Sequence, residues 1–402
     1  MTDQLTALRL ALDSVSIFRG VFADSVIAEM RVLIEEAAGL NTDAIIRQYS
    51  RFVRELYQHN VNFSDHVLKT VLKDENIFIM MSAQGDEIDE CILEAAEHEL
   101  SVLQELSALS PDDFTAELHY DGFLPKWKVR EIDFSAEYNK RRADIANHGY
   151  GKWANNSMFL LKGDKISPLK FPDPQKLSEL YGYERERKAV IDNTLALLDG
   201  KPAQNALLYG DAGTGKSSTV KGLVNEYADR GLRLIEITKE QLRFIPDIVD
   251  EIYRNPLKFI LFIDDLSFVP GEDCFGALKA VLEGSASARS ANMVIYATSN
   301  RRHLVKETFS DREGDDIHRN DSMQETLSLS ARFGLRVNFS RPDKNSYVKI
   351  ATELARAKGI TLSDDELALK AEQFAISSGN GRSARTAKQF VAGLSQLESS
   401  FQ

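Results

Sequence analysis

The sequence predicts an α/β fold: a parallel sheet with helices on both faces, preceded by a mostly helical N-terminal domain and followed by a helical C-terminal tail. Three observations predict it. Between residues 205 and 298, short apolar runs alternate with stretches of helical periodicity. A glycine-rich loop joins the first of those runs to the first of those helices. The two ends of the chain, before residue 121 and after residue 343, carry helical spacing alone.

Taken in order, Leu5, Leu8, Leu12 and Val15 recur at helix spacing, as do Val26, Met30, Leu33 and Ala37. A further helix is expected over 87–109. Ile88, Cys91, Ile92, Ala95, Leu103 and Leu106 are its apolar positions, and Glu87, Asp89, Glu90, Glu94, Glu97 and Glu99 form a solvated acidic face. Pro111-Asp112-Asp113 reads as a turn. The stretch 121–170 is irregular and mixes basic with aromatic residues, among them Trp127, Lys128, Arg130, Lys140, Arg141, Arg142 and Trp153. It is expected to be a connector, partly packed. After Pro172-Asp173-Pro174 a helix is expected from about Leu177. Strands are expected at 205–209, 232–237, 259–263 and 293–298, with helices at 215–229, 245–253 and 276–283. The expected domains are therefore a helical domain over 1–120, the connector 121–170, an α/β core over 171–342 and a helical lid over 343–402.

Composition narrows the function classes. The hydrophobic fraction of 43% suffices for an ordinary core, so neither disulfide nor metal is needed to hold it. Cys91 and Cys274 lie far apart and in no CxxC pair, which argues against a structural zinc site and for a reducing compartment. The N-terminus lacks the basic and apolar pattern of a secretory signal, and no apolar run is long enough to span a bilayer. A cytoplasmic protein without membrane association is expected. The net charge of -12 gives no ground for bulk nucleic-acid binding. The basic and aromatic residues between Tyr120 and Trp153 are compatible with a nucleic-acid partner without indicating one.

The strongest chemical signal is Gly210-Asp211-Ala212-Gly213-Thr214-Gly215-Lys216-Ser217, which matches G-x-x-x-x-G-K-[ST] in full. The apolar run Ala206-Leu207-Leu208-Tyr209 precedes it and a helix comes after it. Glycines let the backbone turn its N–H groups toward phosphate oxygens, and the helix adds the positive end of its dipole. Lys216 is placed to neutralise the β- and γ-phosphates of ATP, and Ser217 to offer its hydroxyl to Mg²⁺. Gly210 through Ser218 are therefore the expected phosphate-binding residues.

The second signal is Phe259-Ile260-Leu261-Phe262-Ile263-Asp264-Asp265, an apolar strand that ends in two carboxylates. Ligands bind at the carboxyl ends of such strands. Asp264 is expected to hold the metal through water, and Asp265 to polarise the attacking water. The third is Ile295-Tyr296-Ala297-Thr298-Ser299-Asn300, a strand expected beside both others, whose Asn300 would orient that water.

These motifs, with the helical tail, resemble the AAA+ superfamily of P-loop ATPases. More specifically, the chain resembles a bacterial AAA+ family of unknown cellular role, described only as predicted ATP-binding proteins. The resemblance covers roughly residues 151–390. It rests on Pro172-Asp173-Pro174 with Leu180-Tyr181-Gly182-Tyr183-Glu184, on 205–229, on Ile263-Asp264-Asp265-Leu266-Ser267-Phe268, on Ala297 through Leu304, and on Leu327 through Leu335. It implies that Tyr181, Gly182 and Tyr183 contact the adenine. It implies that Arg332, with Arg336 as a weaker candidate, is an arginine finger for a neighbouring subunit's γ-phosphate. It also implies that Gly381-Arg382-Ser383-Ala384-Arg385 carries a phosphate-sensing arginine, Arg385 first and Arg382 second. A homo-oligomeric ring is implied by the resemblance, a hexamer among its sizes, acting on an unknown protein partner. Two departures stand out: Asp265 replaces the usual glutamate, and Ala331 replaces an acidic residue before the finger.

The expected activity is MgATP hydrolysis that drives conformational change on a partner. The competing expectation is a slow ATP-dependent switch or loader whose turnover needs a partner protein or nucleic acid; the short Asp265 favours it.

Overall fold

The computed structural model describes residues 2–39, 42–116, 118, 120–267, 278, 282, 291–300 and 331–399. The chain forms two compact units, Met1–Asn155 and Asn156–Gln402.

The first unit is all helix. Its principal helices run over Thr2–Ser14, Ser25–Ala38, Thr42–His59, Phe63–Val71, Ile77–Gln84, Glu90–Ser107 and Phe134–Ala143. The expected apolar stripes meet in one core: Leu5, Leu8, Leu12 and Val15 are buried there with Val26, Met30, Leu33 and Ala37. Asp24 starts the second helix, its carboxylate accepting from the N–H groups of Val26 and Ile27 and pairing with His66 at 2.9 Å. Burial works to raise the Asp24 pKa, but these partners together hold it below its ordinary value.

Two expectations change here. The helix placed at 87–109 spans Glu90–Ser107, with Asp89 as its cap. Glu99 does not belong to its solvated face: it is 5% exposed. Its carboxylate accepts from the backbone N–H groups of Ser16, Ile17 and Phe18 and from the Ser16 hydroxyl. One acidic side chain thus satisfies a whole turn of loop amides. The segment 121–170 is divided between the two units instead of connecting them. Trp127 is buried against Tyr49 and Phe52, its indole N–H donating to the Leu109 carbonyl. Phe134, Tyr138, Ile145 and Tyr150 join the same core. Trp127 and Trp153 are both 4% exposed, whereas Tyr120 and Phe123 of the same stretch are exposed.

The second unit carries a seven-stranded sheet. Its strands are β1 (Met158–Lys162), β2 (Lys165–Pro168), β3 (Ala206–Gly210), β4 (Leu232–Ile237), β5 (Lys258–Ile263), β6 (Met293–Ser299) and β7 (Leu335–Phe339). The order is β2-β1-β4-β5-β6-β3-β7, and every pair is parallel except the β1–β2 hairpin. The four expected strands are all present. Phe259 through Ile263 are buried without a break, as a strand covered on both faces must be. Helices Glu184–Leu198 and Lys216–Tyr227 pack their Val190, Leu197, Val220 and Leu223 against Ile260, Phe262, Val294 and Tyr296.

Strands β1, β2 and β7 were not expected. The first two form a hairpin whose two-residue turn is Gly163-Asp164, with Lys162 opposite Lys165. The third is an edge strand whose Arg336 and Asn338 point to solvent while Val337 and Phe339 are buried. The expected helix at 276–283 lies outside the described residues.

Three helices close the unit: Lys344–Ala357, Asp364–Ser377 and Ala384–Ser399. They share a core of Tyr347, Ile350, Ala351, Leu367, Ala371, Ala387 and Phe390. Ser363 and Glu366 cap the middle helix reciprocally.

The Glu99 arrangement is testable. Glu99→Ala leaves three backbone N–H groups and a hydroxyl without their acceptor and is expected to destabilise the first unit by about 2–4 kcal/mol. Exposed Glu94→Ala is expected to cost under about 0.5 kcal/mol. Hydrogen exchange of the Ser16, Ile17 and Phe18 amides reads the difference: their protection should fall only in Glu99→Ala.

Candidate functional site

The site is built by the sheet order. Strand β6 lies between β3 and β5, so the loop after β3 and the carboxylates after β5 emerge on either side of Asn300. The register fixes their depth: Leu208 stands opposite Thr298, and Ile263 opposite Ala297.

Loop 210–215 turns between β3 and helix Lys216–Tyr227 through left-handed glycines. Gly213 has φ 76°, and a Cβ there would stand 3.0 Å from the Arg385 Cβ, so a larger residue would be strained in the turn and tight against the neighbouring helix. The Arg385 N–H donates to the Gly213 carbonyl at 3.0 Å. Asp211 does not face the cleft with its carboxylate; that group accepts the Arg341 backbone N–H at 2.8 Å.

Lys216 is 6% exposed. Its ammonium donates to the carbonyls of Gly210 (3.1 Å) and Asp211 (2.7 Å) and to Asn300 Oδ1 (3.1 Å). Burial lowers its pKa, against the opposing pull of Asp211, Asp265 and Asp264. A buried cation held by neutral oxygens is ready for an anion.

Asp264 and Asp265 sit just past β5. Asp264 Oδ1 accepts from the Ser217 hydroxyl at 2.6 Å and from the Thr298 hydroxyl at 2.5 Å. Asp265 adopts φ 52°, the left-handed region, and its carboxylate accepts from Asn300 Nδ2 at 2.7 Å. Ser217, Asp264, Thr298, Asp265, Asn300 and Lys216 thus form one connected hydrogen-bonded chain. The hydroxyl of Ser217 and the carboxylate of Asp264 are hard oxygen donors at one point, a set whose chemistry fits Mg²⁺.

These groups line a cleft of about 500 Å³. Its lining includes Ala212 through Ser218, the polar Asp264, Asp265 and Asn300, and the side chains of Tyr181, Ile350 and Leu354. Gly182, φ 72°, lets the 180–183 turn approach the closing helices, since a Cβ would stand 2.6 Å from Ile350. Tyr183 does not line the cleft; its hydroxyl donates to the Ser340 carbonyl at 2.9 Å and its ring packs near Phe339.

The two candidate sensing arginines part company. Arg385 lines the cleft, whereas Arg382 is held by Glu372 through two bonds of 2.9 and 2.8 Å. Among the described residues that line the cleft, neither Arg332 nor Arg336 appears. Arg332 is half-buried just before β7, and Arg336 is exposed on it. The quoted stretches 301–304 and 327–330 and residue Phe268 lie outside the described residues.

Several lining residues were not expected, among them Thr298, Arg187 and Lys388. A signal existed for Thr298, a polar residue at the carboxyl end of the same run and two positions before Asn300. A signal also existed for Lys388, three positions after Arg385 on one helix.

Parts of the chain resemble known proteins. Over 118 residues the chain is 30% identical to a replication factor C large subunit of Staphylothermus marinus, a match that covers 27% of each chain. Over 336 residues it is 24% identical to a probable ATP-dependent Clp protease ATP-binding subunit of Chlamydia pneumoniae, covering 77% of this chain and 36% of that protein. The chain thus spans about a quarter to a third of the length of the curated relatives it matches. Among solved structures, the Thermotoga maritima RuvB Holliday junction branch migration motor matches with a TM-score of 0.38 and 16% identity, covering 55% of this chain and 63% of that one. No helix among the described residues is long and apolar enough to cross a membrane. The family model described as protein of unknown function (DUF815) matches residues 153–397, a stretch that holds the whole cleft, so the chain belongs to that family.

Proposed function

We propose that this protein binds MgATP in the cleft beneath Lys216 and hydrolyses it to drive a conformational change on a partner. The observation that carries the reading is the hydrogen-bonded chain from Ser217 through Asp264, Thr298, Asp265 and Asn300 to Lys216. It gathers a cation, a hydroxyl, two carboxylates and an amide at the mouth of a phosphate-binding loop, the parts that phosphoryl transfer needs.

In this reading the N–H groups of residues 213–217 hold the phosphates and Lys216 neutralises the β- and γ-oxygens. Ser217 and Asp264 would hold magnesium, which supplies charge neutralisation on the transferring group when bound. Asp265 accepts the proton of the attacking water, and Asn300 orients that water. Arg385 reaches the phosphates from the closing helices. Tyr181, with Ile350 and Leu354, forms the surface for the adenine, while Gly182 and Tyr183 shape the turn that carries it. Arg332, off the cleft of its own chain, supplies the finger to a neighbouring subunit in a homo-oligomeric ring, which makes turnover depend on assembly. The cytoplasm suits the charge and cysteine content.

A slow switch or loader is the second reading, and one observation favours it. Asp265 is a methylene shorter than glutamate, is held by Asn300 at 2.7 Å, and has left-handed backbone. A base so restrained suits slow turnover that a partner accelerates.

Three measurements check the proposal. Lys216→Ala should weaken ATP binding about tenfold to a hundredfold, as loss of a charge-assisted contact to phosphate does; unchanged affinity by calorimetry would sink the reading. Asp265→Asn should bind ATP as the unaltered chain does while its phosphate release falls about 10²–10⁴-fold, the worth of a positioned general base. In a dilution series, activity per subunit should rise with protein concentration, and Arg332→Ala should flatten that rise without weakening binding; a concentration-independent rate in the unaltered chain would remove the neighbouring-subunit finger.

A further inference from the structure

Thr298 is 2% exposed and stands at the carboxyl end of β6. Three consecutive residues of the neighbouring strand's exit are fastened to it. Its hydroxyl donates to Asp264 Oδ1 at 2.5 Å and accepts the Asp265 N–H at 2.9 Å. Its carbonyl accepts the Leu266 N–H at 2.7 Å. A hydroxyl is one donor and an acceptor, and here both capacities are spent on adjacent residues of one turn.

The consequence is geometric. After β5 the chain has left its ladder, and nothing in the strand register fixes where Asp264 and Asp265 point. Asp265 stands at φ 52°, a region that a non-glycine residue enters only when its surroundings hold it there. The bond from Asp265 N–H to Thr298 is a bond to the strained residue itself, and the bond from Thr298 to Asp264 Oδ1 leaves that carboxylate facing Ser217. Both turn residues are therefore held by one side chain, two positions before Asn300.

We propose that Thr298 is a positioning residue for the metal and water chemistry of this cleft, its hydroxyl orienting Asp264 toward Ser217 and holding the Asp265 backbone in the conformation that presents its carboxylate to Asn300. The inference rests on the reading of the cleft as a MgATP site and adds to it a residue whose hydroxyl is committed to Asp264 and Asp265. Groups that orient a metal ligand from behind commonly change metal affinity about tenfold to a hundredfold when removed.

The test separates the two claims. Binding of a fluorescent ADP analogue is measured in EDTA and then across a magnesium titration, with the full chain and with Thr298→Val, Thr298→Ala and Thr298→Ser. Binding by the unaltered chain, lost in Lys216→Ala, establishes the site itself; its absence would remove the MgATP reading whatever Thr298 does. Given that binding, Thr298→Val should keep the affinity seen in EDTA but require about tenfold or more magnesium for half-maximal tightening. Thr298→Ser, which retains the hydroxyl, should stay within about twofold of the unaltered chain, and that rescue distinguishes orientation by the hydroxyl from simple packing. Thr298→Ala serves where the valine chain does not fold. Hydroxyl-free variants with the unaltered magnesium midpoint, or a serine variant as impaired as the alanine one, would overturn the assignment.

Discussion

The arrangement depends on one constraint: β6 lies between β3 and β5 in a sheet buried on both faces. A parallel ladder fixes depth as well as neighbourhood, so three strand ends reach the surface at one level. The polar groups sit within a few residues of those ends. A loop with a lysine, a pair of carboxylates and an asparagine have no room to diverge, and their side chains meet in one chain of hydrogen bonds. The apolar runs that read as buried strands thus set the spacing of the polar groups past their ends, as expected where ligands bind beyond the carboxyl ends of a parallel sheet.

The closing helices complete the cleft from the other side. Their core is small and rich in alanine, with Ala351, Ala355, Ala371, Ala375 and Ala387 letting the three axes approach. That close packing sets Arg385 over Gly213 and turns Arg382 away to Glu372. Two arginines three positions apart on the chain therefore have different partners because only one of them lies within the packed helix facing the loop.

Much of this was legible in the sequence, for reasons that can be named. The strand at 259–263 was visible as an unbroken apolar run, as a strand buried on both faces leaves; 206–209 and 293–297 read the same way, and 232–237 kept its apolar majority despite Arg233 and Glu236. The loop was visible because its chemistry demands particular residues at fixed spacing. The edge strands were not: Leu335–Phe339 alternates with Arg336 and Asn338, and the β1–β2 hairpin was hidden in a stretch whose basic residues suggested a connector, although Gly163-Asp164 was a readable turn signal. Glu99 was misplaced because periodicity assigns a helix face but cannot see a loop of unpaired N–H groups waiting for an acceptor. Thr298 was overlooked because threonine in a strand is ordinary by propensity; only its two hydrogen-bond partners set it apart.

One pair of bonds has a mechanical meaning. The phosphate-binding loop is fastened to the chain's closing segment twice: the Asp211 carboxylate takes the N–H of Arg341, just before the first closing helix, and the Gly213 carbonyl takes the N–H of Arg385, in the first turn of the last. Two attachments at separated points resist rotation as well as translation. A displacement of the loop relative to the three helices is therefore opposed at both ends of the closing segment, by one side-chain acceptor and one main-chain acceptor.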